Sequence, residues 1–376
     1  MKYYKIDTNN LKQKLKKLGC DTIGVNILDK KSKIFALYIQ NIHVGGANIL
    51  KQDALSIGAD LAVPRGTIVA KEQYVNVILL GTAKHFEILS NKELSQPFGL
   101  KELAKNLKSF IKPSKKDIKI MGVINANDDS FFANSRYKKQ DAINMIKKMI
   151  QDGASIIDIG AVSSRPGSEF VDKKEELKRV KYICDTIKKE KLYKQVDFSI
   201  DSYTPKVVKY ALKSGFNIVN DITGLSNNKI AKLTAKYNAS IVIMHMQGTP
   251  NTMQQNPTYD NVILEIDQFF QQRITKAKKF GIKKIILDVG IGFGKTLEHN
   301  LILLQNMEHF LHFGYEVLLG ASRKSLINNI IKSDPQERLP GTLAIHLDGI
   351  KKGATIIRCH DVKEHYQAIE VYKKLY

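Results

Sequence analysis

The sequence predicts an α/β protein: a (β/α)8 TIM barrel over residues 116–376, preceded by a small α/β domain over residues 1–115. Three observations carry that expectation. From about residue 116 onward, short β-branched runs alternate with longer helix-patterned stretches, and the alternation repeats eight times. Such alternation implies parallel strands joined by right-handed crossovers, and eight units in about 260 residues match a closed barrel. Each strand-like run also empties into polar residues at its C-terminal end, where a barrel of this kind gathers its active site. The alternative, an open doubly wound sheet, normally carries a glycine-rich phosphate turn after its first strand, and "VINANDDSF" contains no glycine.

The barrel elements follow in order. "IKIMGVIN" is the first strand, and a helix is expected around 139–151. "SIIDIGA" leads to a charged helix around 173–190, and "QVDFSID" to a helix opening at Pro205, a residue suited to a first helical turn. "NIVNDI" is followed by a short helix, and "ASIVIMHM" by a long one around 260–280. "KIILDVG" precedes a helix around 298–312. "YEVLLGAS" precedes a helical stretch reaching about 351, and "ATIIRCHD" precedes the final helix.

Residues 1–115 read differently. "KIFALYIQNI" is strand-like, "GANILKQDALSIG" is an amphipathic helix closed by glycine, and "ADLAVPRGTIV" and "YVNVILLGT" are further strands. "FGLKELAKNLKSFI" is a linker helix, and Pro113-Ser114 mark a boundary. His43, His85 and Arg65 stand isolated in this half, so it offers no catalytic constellation.

Composition narrows the function classes. The three cysteines, Cys20, Cys184 and Cys359, are far apart and lack metal-type spacing, which fits a reducing cytoplasm. The N-terminal "MKYYKIDTNNLKQKLKKLGC" has no apolar core of a signal peptide, and no apolar run reaches membrane-spanning length. The net charge is +22. The excess is mostly lysine scattered along amphipathic helices, as in "KKEELKRVKYICDTIKKEKLYK", with no Arg-rich arm, zinc-finger spacing or aromatic RNA-binding motif. That pattern describes a solvated surface rather than a nucleic-acid footprint, and its field attracts anionic small substrates.

The strand ends supply two kinds of group. Asp201, Asn220, Asp288 and Lys324 come from strands three, four, six and seven. Carboxylates and amides so placed suit a flat heterocycle with several donors, because a carboxylate accepts two parallel hydrogen bonds from an amino-pyrimidinone edge. Met244 and Phe293 supply apolar walls. Asn125, Arg165, Arg358 and His360 form the second group, suited to an anionic leaving group held partly through Mg²⁺, a hard ion that prefers oxygen. Transfer chemistry on a phosphorylated heterocycle follows. Any single strand-end Asp is equally well a helix cap; eight strands delivering polar groups to one rim are not.

Residues 117–376 resemble dihydropteroate synthase, an enzyme family of the pterin-binding barrel superfamily. The resemblance rests on "MGVIN…DSF", "IIDIG…SSRPG", "SIDSYTP", "NIVNDI", "MHMQGTPNTMQ", "LDVGIGFGK", "GASRKS" and "IIRCHDV", eight segments in order. It implies condensation of 6-hydroxymethyl-7,8-dihydropterin diphosphate with 4-aminobenzoate, with loss of pyrophosphate and Mg²⁺ as cofactor. The reaction implied is SN1-like and needs no nucleophilic side chain.

The resemblance also implies roles. Asp201, Asn220, Met244, Asp288, Lys324 and Arg358 hold the pterin, and Asn125, Arg165, Arg358 and His360 hold the diphosphate, with Asn125 the metal ligand. Ser164, Arg165, Pro166, Phe293, Ser322 and Lys324 border the aminobenzoate. Asp129, Lys324 and Asp201 are the catalytic candidates, Asp129 lying near the cationic pterin. A cytoplasmic homodimer is the family expectation, and the family is the target of sulfonamides. The chain departs from the family pattern in three places. Asn127-Asp128 stand where Thr-Pro is usual, Ala161-Val162 where the usual loop reads Gly-Glu, and Val289 where a proline is usual.

Overall fold

A computed structural model of the chain describes residues 11–111, 117–126, 139–162 and 172–375, together with residues 1, 4 and 8. The chain divides into two compact units, Met1–Pro113 and Ser114–Leu375.

The first unit is built on a three-stranded antiparallel sheet of β1 (Ile34–His43), β2 (Asp60–Ala62) and β3 (Tyr74–Thr82), in the order β1-β3-β2. Along β3 the even rhythm of "YVNVILLGT" works as written. Val75, Val77 and Leu79 are buried while Asn76, Ile78 and Leu80 face outward. Beneath them lie Leu50 and Ala54 of the helix Val44–Leu55, Phe86 and Leu89 of Ala83–Lys92, and Leu100 and Leu107 of Leu100–Leu107. β1 carries a bulge between Ile39 and Ile42, where Asn41 takes φ 56° and its N–H is received by Asn76 Oδ1 at 2.8 Å.

Two expectations need correction in this unit. "ADLAVPRGTIV" is a strand only over Asp60–Ala62, because Pro64 and the positive φ of Gly66 turn the chain into a short 3₁₀ turn, Thr67–Val69. The helices Leu11–Lys17, Thr22–Lys31 and Ala83–Lys92 add to the elements that the sequence pattern predicts.

The second unit is a closed barrel of eight parallel strands: β4 (Lys119–Asn125), β5 (Ile156–Gly160), β6 (Asp197–Asp201), β7 (Ile218–Asp221), β8 (Ser240–Met244), β9 (Lys284–Asp288), β10 (Glu316–Leu319) and β11 (Ile356–Cys359). The ring closes where β11 pairs with β4. Met121, Ile156, Ile218, Val242, Ile286, Leu318 and Ile356 form one apolar layer filling the interior, one from each of seven strands. The intervening residues point outward and join the helices in the larger core, Cys359 among them.

The helices Lys139–Gln151, Lys173–Glu190 and Pro205–Lys213 sit where the sequence pattern puts them. The helix expected around 298–312 breaks. It runs Leu297–Gln305, ends at Asn306, whose Nδ2 donates to Ile302 O at 2.8 Å, and continues as the 3₁₀ helix Met307–Phe313. The stretch reaching 351 likewise divides into Ser325–Ile330, the 3₁₀ turn Pro335–Arg338 and Leu339–Lys351.

Candidate active site

Strand periodicity builds the rim. Two residues beyond each member of the apolar layer, the same face of the strand carries Val123, Asp158, Asn220, Met244, Asp288, Gly320 and Arg358. Register aligns further members laterally: Asn125 pairs with Gly160, Gly160 with Asp201, and Asp201 with Asn220. Met244 pairs with Asp288 on the opposite side. The parallel register therefore delivers polar side chains from separate strands to one end of the barrel.

At the centre of this rim is a bridge. Arg358 donates from Nε to Asp158 Oδ2 at 2.7 Å and from Nη2 to Asp201 Oδ2 at 2.9 Å. Asp158 is fully buried, and its Oδ2 also receives Asn220 Nδ2 at 3.1 Å, while its Oδ1 has no hydrogen-bond partner among the described residues. Burial pushes the Asp201 carboxyl upward from its ordinary range, Arg358 pulls it back, and Asp158 adds to the rise. One guanidinium thus fixes a carboxylate of β5 and another of β6.

Across the mouth, Asp288 ends β9. Its Oδ1 accepts the Gly290 N–H at 2.8 Å. Gly290 has φ 69°, and a Cβ there would lie 1.9 Å from His245 O, so only glycine fits this turn. Lys324 Nζ donates to Ile291 O at 2.5 Å and stands 4.6 Å from the centre of the Phe293 ring. Burial lowers the Lys324 ammonium to about 8, with Asp288 opposing the shift. Met244 is buried beside this group.

The β10 and β11 ends are tied together. Ser322 Oγ is 2.9 Å from His360 Nδ1 and accepts the His360 N–H at 3.3 Å. Arg323, at φ 56°, makes a two-pronged ion pair with Asp361 at 2.8 and 2.7 Å and also donates to Pro335 O and Gln336 O. Behind them runs a buried relay. The Ala321 N–H reaches His346 Nε2 at 3.1 Å, His346 Nδ1 is 2.8 Å from His365 Nε2, and His365 Nδ1 is 2.6 Å from Asp361 O. These partners require both imidazoles to be neutral with the proton on Nδ1, and burial lowers both from the usual histidine range.

Of the residues singled out in the sequence, Asn125, Asp201, Asn220, Met244, Asp288, Phe293, Ser322, Lys324, Arg358 and His360 are described, and the barrel register and loops set them at its C-terminal end. Asp129, Ser164, Arg165 and Pro166 lie outside the described residues, as do Asn127 and Asp128.

Three features escape sequence reasoning. Asp158 is legible as a polar group at the mouth, but its role as the acceptor that holds Arg358 and Asn220 is not. The His346–His365 pair lies on helix positions that read as ordinary polar residues. Lys295 is buried with Nζ 3.0 Å from His245 Nδ1 and 2.9 Å from Phe293 O, and burial lowers it to about 7.

A parallel eight-stranded barrel with carboxylates, an amide and cations at its C-terminal rim defines a class of small-molecule enzymes. The family model of the pterin binding enzymes matches residues 121–360, and the chain belongs to that family. A bifunctional dihydropteroate synthase/dihydropteroate reductase of Helicobacter pylori is 41% identical over 372 residues, covering 99% of this chain and 98% of the relative. The Yersinia pestis dihydropteroate synthase in complex with a sulfonamide drug matches with TM-score 0.66 and 34% identity, over 70% of this chain and 96% of that one. The Thermus thermophilus dihydropteroate synthase in complex with 4-aminobenzoate matches with TM-score 0.62 and 33% identity, over 69% and 95%. The expectation of a dihydropteroate synthase, a transferase of folate biosynthesis, holds. Among the described residues no helix is long and apolar enough to cross a membrane.

Proposed function

We propose that the barrel mouth joins 6-hydroxymethyl-7,8-dihydropterin diphosphate to 4-aminobenzoate. The observation that carries this reading is the convergence of Asp288, Lys324 and the Asp158–Arg358–Asp201 bridge on one rim. Asp288 and Asn220 take the donor edge of the pterin, and Lys324 donates to its acceptor edge. Met244 and Phe293 close on the ring faces. Arg358 favours the ionised form of Asp201 against the burial that raises it, and that carboxylate offsets positive charge that develops as the leaving group departs.

In the reaction the bond between the exocyclic methylene and the ester oxygen breaks, and its electron pair leaves with the diphosphate. The amine of aminobenzoate forms the new C–N bond and releases a proton. His360, oriented by Ser322, and Arg165 donate to the diphosphate, and Asp129 faces the cationic pterin. Ser164, Pro166 and Ser322 border the aminobenzoate. Asn125 would hold Mg²⁺ through its amide oxygen, a donor type that suits this hard ion. When bound, that ion neutralises charge on the leaving group. A cytoplasmic homodimer goes with this reading.

Mixing the chain with both substrates and Mg²⁺ should release pyrophosphate and form dihydropteroate in equal amounts. Pyrophosphate released equally without aminobenzoate, or not at all, would overturn it.

A second activity is supported by the match over the whole chain. The bifunctional relative shares the first unit as well as the barrel, whereas the two synthase structures match about 70% of this chain. We assign to this chain reduction of dihydropteroate by a hydride donor, dependent on residues 1–113. The assay is dihydropteroate with NADH or NADPH, with and without added flavin. Formation of tetrahydropteroate supports the assignment, and its absence with every donor ends it.

A further inference from the structure

The break in the helix after Gln305 has a chemical consequence on the outside of the barrel. In the 3₁₀ helix Met307–Phe313 three residues make one turn, so His309 and His312 fall on one face. That face meets Asp267 of the helix Val262–Lys279. Asp267 Oδ1 is 2.9 Å from His309 Nε2 and 2.6 Å from His312 Nε2. The three ligand atoms lie within 4.8 Å of one another. Gln271 Nε2 donates to Asp267 Oδ2 at 2.7 Å and so fixes the carboxylate from behind. Phe270 packs edge-on against Phe310 and Phe313, holding the two helices at this spacing. The three side chains keep 12–20% of their surface exposed, enough for an ion and a water to enter.

We propose that Asp267, His309 and His312 form a site for a divalent transition-metal ion, Zn²⁺ being the best match, that staples the 3₁₀ helix to Val262–Lys279. Two imidazole nitrogens and one carboxylate oxygen are a borderline donor set, which suits Zn²⁺, Co²⁺ or Ni²⁺ rather than Mg²⁺ or Ca²⁺. Ligands of a tetrahedral Zn²⁺ sit about 3.3 Å apart, since each bond is about 2.0–2.1 Å. The two nitrogens therefore retreat from Oδ1 by about half an ångström or a little more and settle about 3.3 Å from each other, starting from within 4.8 Å, and a water completes the shell. The site uses no residue of the barrel mouth.

The test uses the full chain, stripped by a chelator and titrated with Zn²⁺ by calorimetry and with Co²⁺ by visible absorption. The result expected is one ion per chain, a tetrahedral Co²⁺ band, and a rise in Tm with Zn²⁺. Asp267→Asn and, separately, the milder His309→Gln should weaken binding of that ion at least tenfold and abolish the band. Circular dichroism checks that each variant is folded, and pyrophosphate release should be unchanged in both. If the unsubstituted chain shows no band, or the variants bind the same ion equally well, the cluster is a hydrogen-bonded clasp and the proposal fails.

Discussion

Arg358 Nε lies 2.7 Å from Asp158 Oδ2, on the neighbour but one in the strand ring, since β4 separates β11 from β5. The contact carries more than its own energy, because the same guanidinium reaches Asp201 at 2.9 Å and the same carboxylate oxygen receives Asn220 at 3.1 Å. Three rim residues are placed by one buried anion.

Asp158→Ala therefore leaves a half-buried guanidinium and a buried amide short of an acceptor. Breaking one side of a buried pair costs about 3 kcal/mol. The barrel's unfolding midpoint in urea should fall accordingly, and pterin affinity with it. Asp158→Asn keeps an acceptor and loses only the charge, so its loss should be smaller. An unchanged midpoint in the alanine variant would mean that water replaces the carboxylate.

The His346–His365 relay makes a different prediction. It ties Ala321, one residue before Ser322, to Asp361, one residue after His360. His346→Leu strands the buried Ala321 N–H, at a cost of about 1–3 kcal/mol. It also loosens the loop that presents Ser322 and Lys324. KM for the pterin diphosphate should rise more than kcat falls, and His346→Gln, whose amide oxygen can accept from Ala321, should recover part of the loss. Steady-state kinetics on the two variants decide this; equal effects would count against a positioning role.

Much of this is legible in the sequence because strand periodicity is simple. Once "IIDIG", "IVND" and "KIILD" are read as parallel strands, the period of two and the C-terminal rim fix where Asp158, Asn220 and Asp288 go. What is not legible depends on partners distant in sequence. Arg358 is legible as a rim cation, but its bond to Asp158, two hundred positions away, is not. The break at Asn306 is set by a side-chain hydrogen bond to Ile302 O, a local choice that helical periodicity does not report. The strand expected through Pro64 fails because its extended residues give way to a turn signal already present.

Lys324 gives a pH dependence with a defined sign. Burial lowers its ammonium to about 8, against about 10.4 in an unfolded chain. Above about 8 the folded enzyme loses the charge proposed to face the pterin. kcat/KM for the pterin diphosphate, which reports the free enzyme, should fall as pH rises through that value. Between about 8 and 10.4 the unfolded chain binds more protons at this position than the folded one, so Lys324 makes stability rise with pH. Activity and stability thus move oppositely. Lys324→Arg, charged throughout, should flatten both limbs, and a falling limb that persists in it would assign the dependence elsewhere.

Asp288→Asn tests recognition of the pterin most directly, because the turn dictates how the amide must sit. Asp288 Oδ1 receives the Gly290 N–H at 2.8 Å, in a turn so close to His245 O that no Cβ fits at Gly290. In the variant the amide oxygen must take that place, or a buried N–H goes unpaired. The NH₂ group then occupies the position from which the carboxylate is proposed to offer its second oxygen to the pterin. A donor meets a donor and the charge is gone. An unpaired buried donor at a formerly ionic contact costs about 3 kcal/mol, on the order of a hundredfold in Kd. Stability should change little, since the bond to Gly290 survives. Calorimetry with a pterin ligand and urea denaturation of the same sample separate the two quantities. Wild-type affinity would remove Asp288 from the pterin contact, and a large loss of stability with binding intact would make it a turn-capping residue alone.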